Sequence, residues 1–300
     1  MKTDLSIRFG ELELANPLVA VSGTFGYGFD YEPIIPPETF GAVVVKGTSL
    51  EPWPGNAPPR IVETPSGMLN AIGLENPGVD VLIEEYLPRL AERDTKVIVN
   101  VVGRTVDGYV GVAEKLDQRP EVHALELNVS CPNVDAGGMS FGTSPEAVAE
   151  LIGATRRVTQ KPLIVKLTPN VTDITVVARA AEEAGADALS LINTLLGMAI
   201  DTETGRPILA NVVGGLSGPA IRPVALRCVY QARAATNLPI MGLGGVSSAE
   251  DVVAFIMAGA SAVGIGTAMF ADPRTPGRIV EELKEYRSRY DEWPIGRAHQ

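Results

Sequence analysis

Cysteine and histidine are scarce in this sequence of 300 residues, which contains two of each. Two cysteines, Cys131 and Cys228, are too few for a disulfide-stabilised scaffold and are not spaced as zinc ligands. No HExxH motif or cluster of histidines indicates a catalytic metal. Each cysteine must therefore be considered by itself as a functional residue.

Basic residues are also in short supply: 25 lysines and arginines stand against 36 aspartates and glutamates, a formal net charge of -11. Such a charge repels nucleic acid and anionic lipid surfaces, and no basic cluster offers a local exception. The first residues lack a cationic stretch followed by an apolar one, which is the pattern of a secretory signal. We expect a cytoplasmic protein that binds neither nucleic acid nor a membrane.

One uncharged run, Val252–Ala271, is long enough to resemble a membrane span. Gly259 and the AGASA sequence around it interrupt this run. A buried helix, a turn and a short strand therefore fit the segment better than one continuous helix does.

Eight short β-branched or apolar runs recur along the chain and indicate strands that are buried on both faces. They begin at Leu18, Ala42, Lys96, Ala124, Pro162, Ala186, Pro239 and Ala262. Amphipathic stretches of helical length, such as 79–93, 144–159, 172–185 and 249–260, separate most of them. Because eight alternating strand and helix units close into a barrel, we predict a single α/β domain over residues 1–300, a (β/α)8 TIM barrel. An open doubly wound sheet is the alternative.

Two long segments, 51–78 and 195–218, interrupt this pattern after the second and sixth strands. Both follow the carboxyl ends of strands, where barrel enzymes place their active sites, so we expect functional loops. The opening segment, residues 5–14, resembles a β-hairpin placed to plug the opposite end of the barrel.

Polar residues stand at or just beyond the ends of these apolar strands. They are Ser22, Lys46, Asn100, Asn128, Lys166, Asn193 and Thr267. Each alone is more simply a strand-end cap, but in a closed barrel all of them converge on one mouth. Asparagine supplies a donor and an acceptor and lysine a compact cation, so the mouth suits a planar, anionic heterocycle with carbonyl and N–H groups. The set contains no acidic pair, which argues against glycosidase chemistry.

Two glycine-rich turns, GLGGVSS from Gly242 and GIGTAMF from Gly264, accompany the seventh and eighth strands. Barrels often bind phosphate with the loops after these strands and a helix amino terminus, where bare N–H groups face the anion. Such turns are common one at a time, but the pair in these two places predicts a phosphate site.

Cys131 lies immediately beyond the fourth strand, in the sequence LNVSCPN. A lone cysteine is most often a small buried hydrophobic residue. On the catalytic face, however, a thiol can act as a base or nucleophile if its pKa falls toward neutrality. Since His123 precedes the strand and His299 is terminal, Cys131 is the best-placed group for proton abstraction. Cys228 fits the core of a helical run.

Taken together, the motifs resemble those of the dihydroorotate dehydrogenases over nearly the whole chain. They are VVVKGTS with Lys46, NAIGLENPG from Asn70, LNVSCPN to Asn133, INTLLGMAID from Ile192, GGLSGPAIRP from Gly214, and the GLGG and GIGT turns. The resemblance implies FMN in the barrel mouth with dihydroorotate stacked against it. It also implies that Cys131 removes a proton from substrate carbon five while carbon six delivers hydride to the flavin. A cysteine base is typical of the soluble class of this family.

The same resemblance assigns residues to each ligand. The implied orotate pocket comprises Lys46, Asn70, Ile72, Gly73, Leu74, Asn128, Asn133, Asn193 and Thr194. The implied contacts to the flavin ring and ribityl chain are Ser22, Lys46, Gly47, Asn100, Asn128, Lys166 and Ile192. The implied contacts to the tail and phosphate of FMN are Gly218, Gly244, Gly245, Gly266 and Thr267. Lys166 is implied to stabilise negative charge on reduced flavin.

The NAIGLEN, INTLLGMAID and GGLSGPAI motifs are most similar to the class 1B enzymes, whereas fumarate-using class 1A relatives carry an NSMGLPN-like version. Class 1B implies a second subunit bearing FAD and a [2Fe–2S] cluster, with NAD as the final acceptor, because this chain lacks the cysteines for a cluster. A heterotetramer built on a homodimer of this chain, working in pyrimidine (UMP) biosynthesis, is the expectation. The alternatives are a class 1A-like enzyme, a dihydropyrimidine dehydrogenase-like enzyme with a similar NxSCP loop, and a non-catalytic flavin relay subunit.

Overall fold

Eight parallel strands close into a barrel in this computed structural model, which describes residues 4–130, 141–290 and 292–300. The strands are β1 (Leu18–Ala20), β2 (Ala42–Thr48), β3 (Lys96–Val101), β4 (Ala124–Asn128), β5 (Leu163–Lys166), β6 (Ala188–Leu191), β7 (Ile240–Leu243) and β8 (Ala262–Ile265). Each pairs with its neighbours in chain order, and β8 pairs with β1. The predicted TIM barrel is confirmed, and the alternative of an open sheet is wrong.

Helices connect the strands and cover the outside of the barrel. The α-helices are Val79–Val81, Leu87–Leu90, Val106–Asp117, Pro145–Arg156, Ile174–Glu183, Arg222–Ala235, Ala249–Ala258, Ala268–Ala271 and Thr275–Arg287. A π-helical stretch, Leu82–Tyr86, joins the first two. Short 3-10 turns occur at Pro37–Thr39, Phe141–Thr143, Pro219–Ile221 and Arg297–His299. The helix predicted over 79–93 ends early, at Leu90, and turn residues follow it.

Local signals explain where several helices begin and end. Thr105, Ser144 and Asp173 each accept a hydrogen bond from a main-chain N–H in the first turn of the helix that follows. Ser248 forms a reciprocal capping box with Asp251, and Gly259 ends the same helix in the left-handed conformation. The uncharged run from Val252 is therefore a helix, a turn and a strand, and no helix in the described ranges has the length and apolar character to cross a membrane.

The amino end of the barrel is closed by a hairpin, Ile7–Phe9 and Leu12–Leu14. All four even-numbered strands begin with alanine, and these small side chains share one apolar cluster with those of the hairpin. The hairpin contributes Phe9, Leu12 and Leu14. Alanine leaves room for larger side chains to enter from below, which explains how the hairpin can fill the barrel at close-packed density.

The two predicted functional loops meet in one four-stranded antiparallel sheet at the carboxyl end of the barrel. Its strands, in spatial order, are Leu195–Met198, Val213–Ser217, Gly67–Asn70 and Ile61–Thr64. A short ladder, Ile200–Asp201 with Arg206–Pro207, extends the second loop. Asn70 is paired with Gly215, so residues far apart in the sequence are brought together above the barrel.

Candidate active site

The interior of the barrel changes from apolar to polar toward the carboxyl ends of the strands. On β4, Leu125 and Leu127 face the outer core under the helices, while Ala124 belongs to the inner cluster. Strand alternation therefore turns Glu126 and Asn128 inward as well. Both are buried, as are Asn100 on β3 and Lys166 on β5. Of the strand-end polar residues that were predicted to converge, Asn100, Asn128 and Lys166 lie in this polar part of the interior.

These polar side chains form one hydrogen-bonded network. Asn100 Nδ2 donates to Glu126 Oε1 over 2.6 Å, and Asn128 Nδ2 donates to Asn100 Oδ1 over 3.4 Å. Asn193 Nδ2 donates to Asn128 Oδ1 over 3.3 Å. Lys166 Nζ lies 3.8 Å from Glu126 Oε1. Buried polar groups that are linked in this way hold one another in fixed positions.

Asn70 and Thr194 meet beside this network. Asn70 Nδ2 donates to the carbonyl oxygen of Gly215 over 3.4 Å, and a Cβ atom on Gly215 would overlap the Thr194 side chain. The main-chain N–H of Thr194 donates to Asn193 Oδ1 over 2.8 Å. The antiparallel sheet thus brings predicted substrate residues from two loops to the amides of β4 and β6.

Gly47 lies between the network and the loop that carries Ile72, Gly73 and Leu74. A Cβ atom at Gly47 would lie 3.1 Å from Asn100 Oδ1 and 3.5 Å from Leu74 Cδ2. Lys46 precedes it, half-buried, two residues beyond the inward-facing Val44. The second predicted lysine therefore lies near the carboxyl end of β2, next to a glycine that contacts the network.

The predicted phosphate residues also come together. A Cβ atom on Gly245 (φ 77°) would lie 2.7 Å from the carbonyl oxygen of Gly218, and one on Gly218 (φ 93°) would lie 3.6 Å from Thr267 Cγ2. Gly244 (φ 131°) approaches Ile192 in the same way, at 3.4 Å. The loops after β6, β7 and β8 therefore form one glycine-lined cradle, beside the Pro219–Ile221 turn that leads into the helix Arg222–Ala235.

A sequence model of the family described as dihydroorotate dehydrogenase matches residues 4–286 of this chain. The chain belongs to the dihydroorotate dehydrogenase family. Three relatives carry the name dihydroorotate dehydrogenase B (NAD(+)), catalytic subunit. That of Geotalea daltonii is 56% identical over 285 residues, covering 95% of this chain and 93% of its own length. That of Alkaliphilus oremlandii is 52% identical over 290 residues, covering 97% and 96%. That of Anoxybacillus flavithermus is 54% identical over 279 residues, covering 93% and 89%.

A crystal structure of DHODH from Eimeria tenella, in complex with ferulenol, has the same overall fold. It superposes with a TM-score of 0.79 at 25% sequence identity, covering 99% of this chain and 89% of that one. The resemblance to the dihydroorotate dehydrogenases that was predicted from the motifs, including the greater similarity to the B type, is confirmed by these comparisons.

Two predicted site residues of this dihydroorotate dehydrogenase family member, Cys131 and Asn133, lie outside the described residues. Ser22 is buried just beyond β1, and a Cβ atom on Gly266 would lie 2.9 Å from Val21 Cγ2. Cys228 and His123, to which no role was assigned, lie away from these residues. Cys228 is buried in a helix, and His123 directly precedes β4. Burial, followed by the charge of Lys96, lowers the pKa of His123.

Sequence reasoning missed three residues that organise the site. Glu126 was counted as part of an apolar strand. Its charge was nevertheless a signal of a buried polar partner, because charged side chains are rarely fully buried without one. Asp251 pairs with Arg222 and accepts from the main-chain N–H groups of Ser247 and Ser248, at 2.9 and 3.1 Å, which fixes the loop after Gly245. The third is Asn76.

No group of three or more potential metal ligands occurs among the described residues.

Asn76 fixes the shape of the predicted substrate loop. Its Oδ1 accepts from the N–H of Ser49, the hydroxyl of Ser49 and the N–H of Gly78, at 3.1, 3.0 and 2.9 Å. Its Nδ2 donates to the carbonyl oxygen of Leu74 over 2.9 Å. Leu74 has a φ of 54°, which a non-glycine residue seldom adopts without such support.

Replacing Asn76 with alanine is expected to lower the free energy of unfolding by about 2–4 kcal/mol, because several buried hydrogen bonds are lost at once. Urea denaturation measures the change. Asn237→Ala, at an exposed asparagine, is the matched control and should change stability by less than about 0.5 kcal/mol. Equal effects of the two substitutions would contradict the role of Asn76.

Proposed function

We propose that this chain is the catalytic subunit of an NAD-linked dihydroorotate dehydrogenase that oxidises dihydroorotate to orotate. The observation that carries the proposal is the joined amide and lysine network of Asn100, Asn128, Lys166 and Asn193 at the barrel mouth. The relative from Geotalea daltonii, which is named as such a subunit, is 56% identical to this chain. Amides can match the carbonyl and N–H edges of the substrate ring, and lysine can match its carboxylate.

FMN fits the residues that are present. The cradle of Gly218, Gly244 and Gly245 has positive φ values and no room for Cβ atoms, so main-chain atoms can approach a phosphate closely. Lys166 and Asn100, at the polar end of the barrel interior, supply a cation and an amide for the flavin ring. When bound, FMN supplies the acceptor for the hydride that leaves the substrate.

Within this proposal, the remaining assigned residues hold the substrate. Asn70, Asn193 and Thr194 meet above the barrel, and the Leu74 side chain faces Gly47. Ile72, Asn133 and Lys46 complete the proposed pocket. Cys131 follows β4 closely in the sequence and is proposed as the base that takes the proton from carbon five.

We further propose a partner subunit that carries FAD and a [2Fe–2S] cluster and passes electrons to NAD. Two cysteines cannot provide the usual four thiolate ligands of such a cluster, so the cluster must reside on another chain. The names of the relatives, which include both NAD(+) and catalytic subunit, support this arrangement. A homodimer of this chain within a heterotetramer is part of the same proposal.

The test is anaerobic reduction of the purified yellow protein. Dihydroorotate should bleach the flavin absorbance, and dihydrouracil, which has the same ring without the carboxylate, should not. Bleaching by dihydrouracil alone would favour a dihydropyrimidine dehydrogenase-like enzyme, and bleaching by neither would favour a relay subunit. Co-purification with an iron–sulfur flavoprotein and subsequent reduction of NAD rather than fumarate would support the proposed acceptor.

A further inference from the structure

We propose that Glu126 is a positioning residue that acts through Lys166. The buried Glu126 carboxylate holds the Lys166 ammonium group below the mouth of the barrel and offsets its positive charge. It thereby limits how strongly the mouth favours reduced flavin. This inference rests on the proposed function, because it concerns the bound flavin. Glu126 itself is not placed in contact with either ligand.

The carboxylate is enclosed in the barrel interior. Glu126 is 1% exposed and Lys166 is 6% exposed. Oε1 accepts from Asn100 and faces Lys166 Nζ, while Oε2 accepts from the Ser190 hydroxyl over 2.8 Å. Both oxygens therefore have partners, which lowers the cost of keeping a charge inside the protein.

The position of this charge along the barrel gives it an effect on the mouth. Glu126 precedes Asn128 by two residues on β4, and both face inward, so its Cα atom lies about 7 Å further from the mouth along the strand, while Asn100 bridges the two side chains. At such a distance, through a poorly hydrated interior, a unit charge still interacts appreciably with another. Lys166 is adjacent in the network, so the mouth experiences a paired cation and anion rather than an isolated cation.

The proposed reaction makes the sign of this pair important. Dihydroorotate gives up a proton to the base and a hydride to the flavin, and orotate is released. The hydride carries two electrons and one proton, so FMN would take on one negative charge while the base takes up one proton. Lys166 favours that charge and Glu126 opposes it, and the reduction potential reflects the difference between them.

Three substitutions separate charge from shape. Glu126→Gln keeps the size of the side chain and can still accept from Asn100, but it removes the negative charge. Lys166→Met removes the positive charge. Ser190→Ala removes a hydrogen bond to the same carboxylate without changing any charge, and it serves as the matched control.

The measurement is the two-electron midpoint potential of the flavin-loaded variants, determined anaerobically against a reference dye. Glu126→Gln should raise the potential by at least about 30 mV, which corresponds to a tenfold stronger preference for reduced flavin. Lys166→Met should lower it, and Ser190→Ala should leave it within about 10 mV of the unmodified protein. An unchanged or lower potential in Glu126→Gln would overturn the proposal.

A second measurement needs no flavin. Lys166→Met should lower the thermal unfolding midpoint of the flavin-free protein, because it leaves a buried carboxylate unpaired. Adding Glu126→Gln to that variant should restore part of the loss. A further loss in the double variant would show that the two charges are not a pair and would overturn the proposal even if Glu126→Gln alone did not fold. If the unmodified protein binds no FMN, the proposed function fails, while this measurement still decides whether the ion pair exists.

Discussion

Replacing Cys131 with alanine is expected to slow the reduction of bound flavin by dihydroorotate by about 10²- to 10⁴-fold, the usual contribution of a general base. FMN should remain bound, because its proposed phosphate contacts lie on the loops after β6, β7 and β8. Rapid-mixing measurement of flavin bleaching, with the absorbance spectrum as the check on FMN content, separates these two effects.

Cys228→Ala is the matched control for this substitution. Cys228 is the other cysteine of the chain, and it is buried in the helix Arg222–Ala235, away from the barrel interior. Dihydroorotate should reduce the flavin of the Cys228→Ala variant at the rate of the unmodified protein. The stability of this variant should fall somewhat, because a buried sulfur is lost. Equal rates in the two variants would remove Cys131 from the proposed mechanism.

Gly245→Ala is expected to weaken FMN binding by about 10- to 100-fold, because a side chain at this position costs about 1–3 kcal/mol of backbone strain. Gly245 has a φ of 77°, and the added Cβ would lie 2.7 Å from the carbonyl oxygen of Gly218 and 2.8 Å from Arg222 Cβ. The cradle can accept alanine only if one of its loops moves. Titration of the flavin-free protein with FMN, followed by quenching of flavin fluorescence, gives the affinity.

Gly153→Ala provides the comparison. Gly153 lies in the helix Pro145–Arg156, and a Cβ there would meet no atom within 4 Å. This variant should bind FMN normally and gain up to about 1 kcal/mol of stability, because alanine favours the helix. Normal FMN affinity in Gly245→Ala would mean that the glycine cradle does not hold the phosphate.

The barrel could be predicted because its strands carry a strong local pattern. Residues such as Val43 and Val44 on β2 alternate between the outer core and the barrel interior, and both environments are apolar. A continuous apolar run therefore already indicates a strand covered on both faces. The pairing of Asn70 with Gly215 has no such local signal, so the two loops were predicted but the sheet that unites them was not.

The candidate site divides in a similar way. Asn100, Asn128 and Lys166 could be predicted, because polar side chains at the ends of apolar strands stand out from their neighbours. Asn76 and Asp251 escaped notice because they support main-chain groups in loops, and their partners become apparent only in three dimensions. The assignments of individual residues to flavin and substrate came from the family resemblance and remain predictions.

Phe9, Leu12 and Leu14 fill the amino end of the barrel with apolar side chains, so the described residues leave no passage for a polar ligand at that end. Under the proposed function, FMN and the acid would therefore both enter and leave at the carboxyl ends of the strands. The two ligands would then share one route, and bound acid is expected to slow the exchange of FMN.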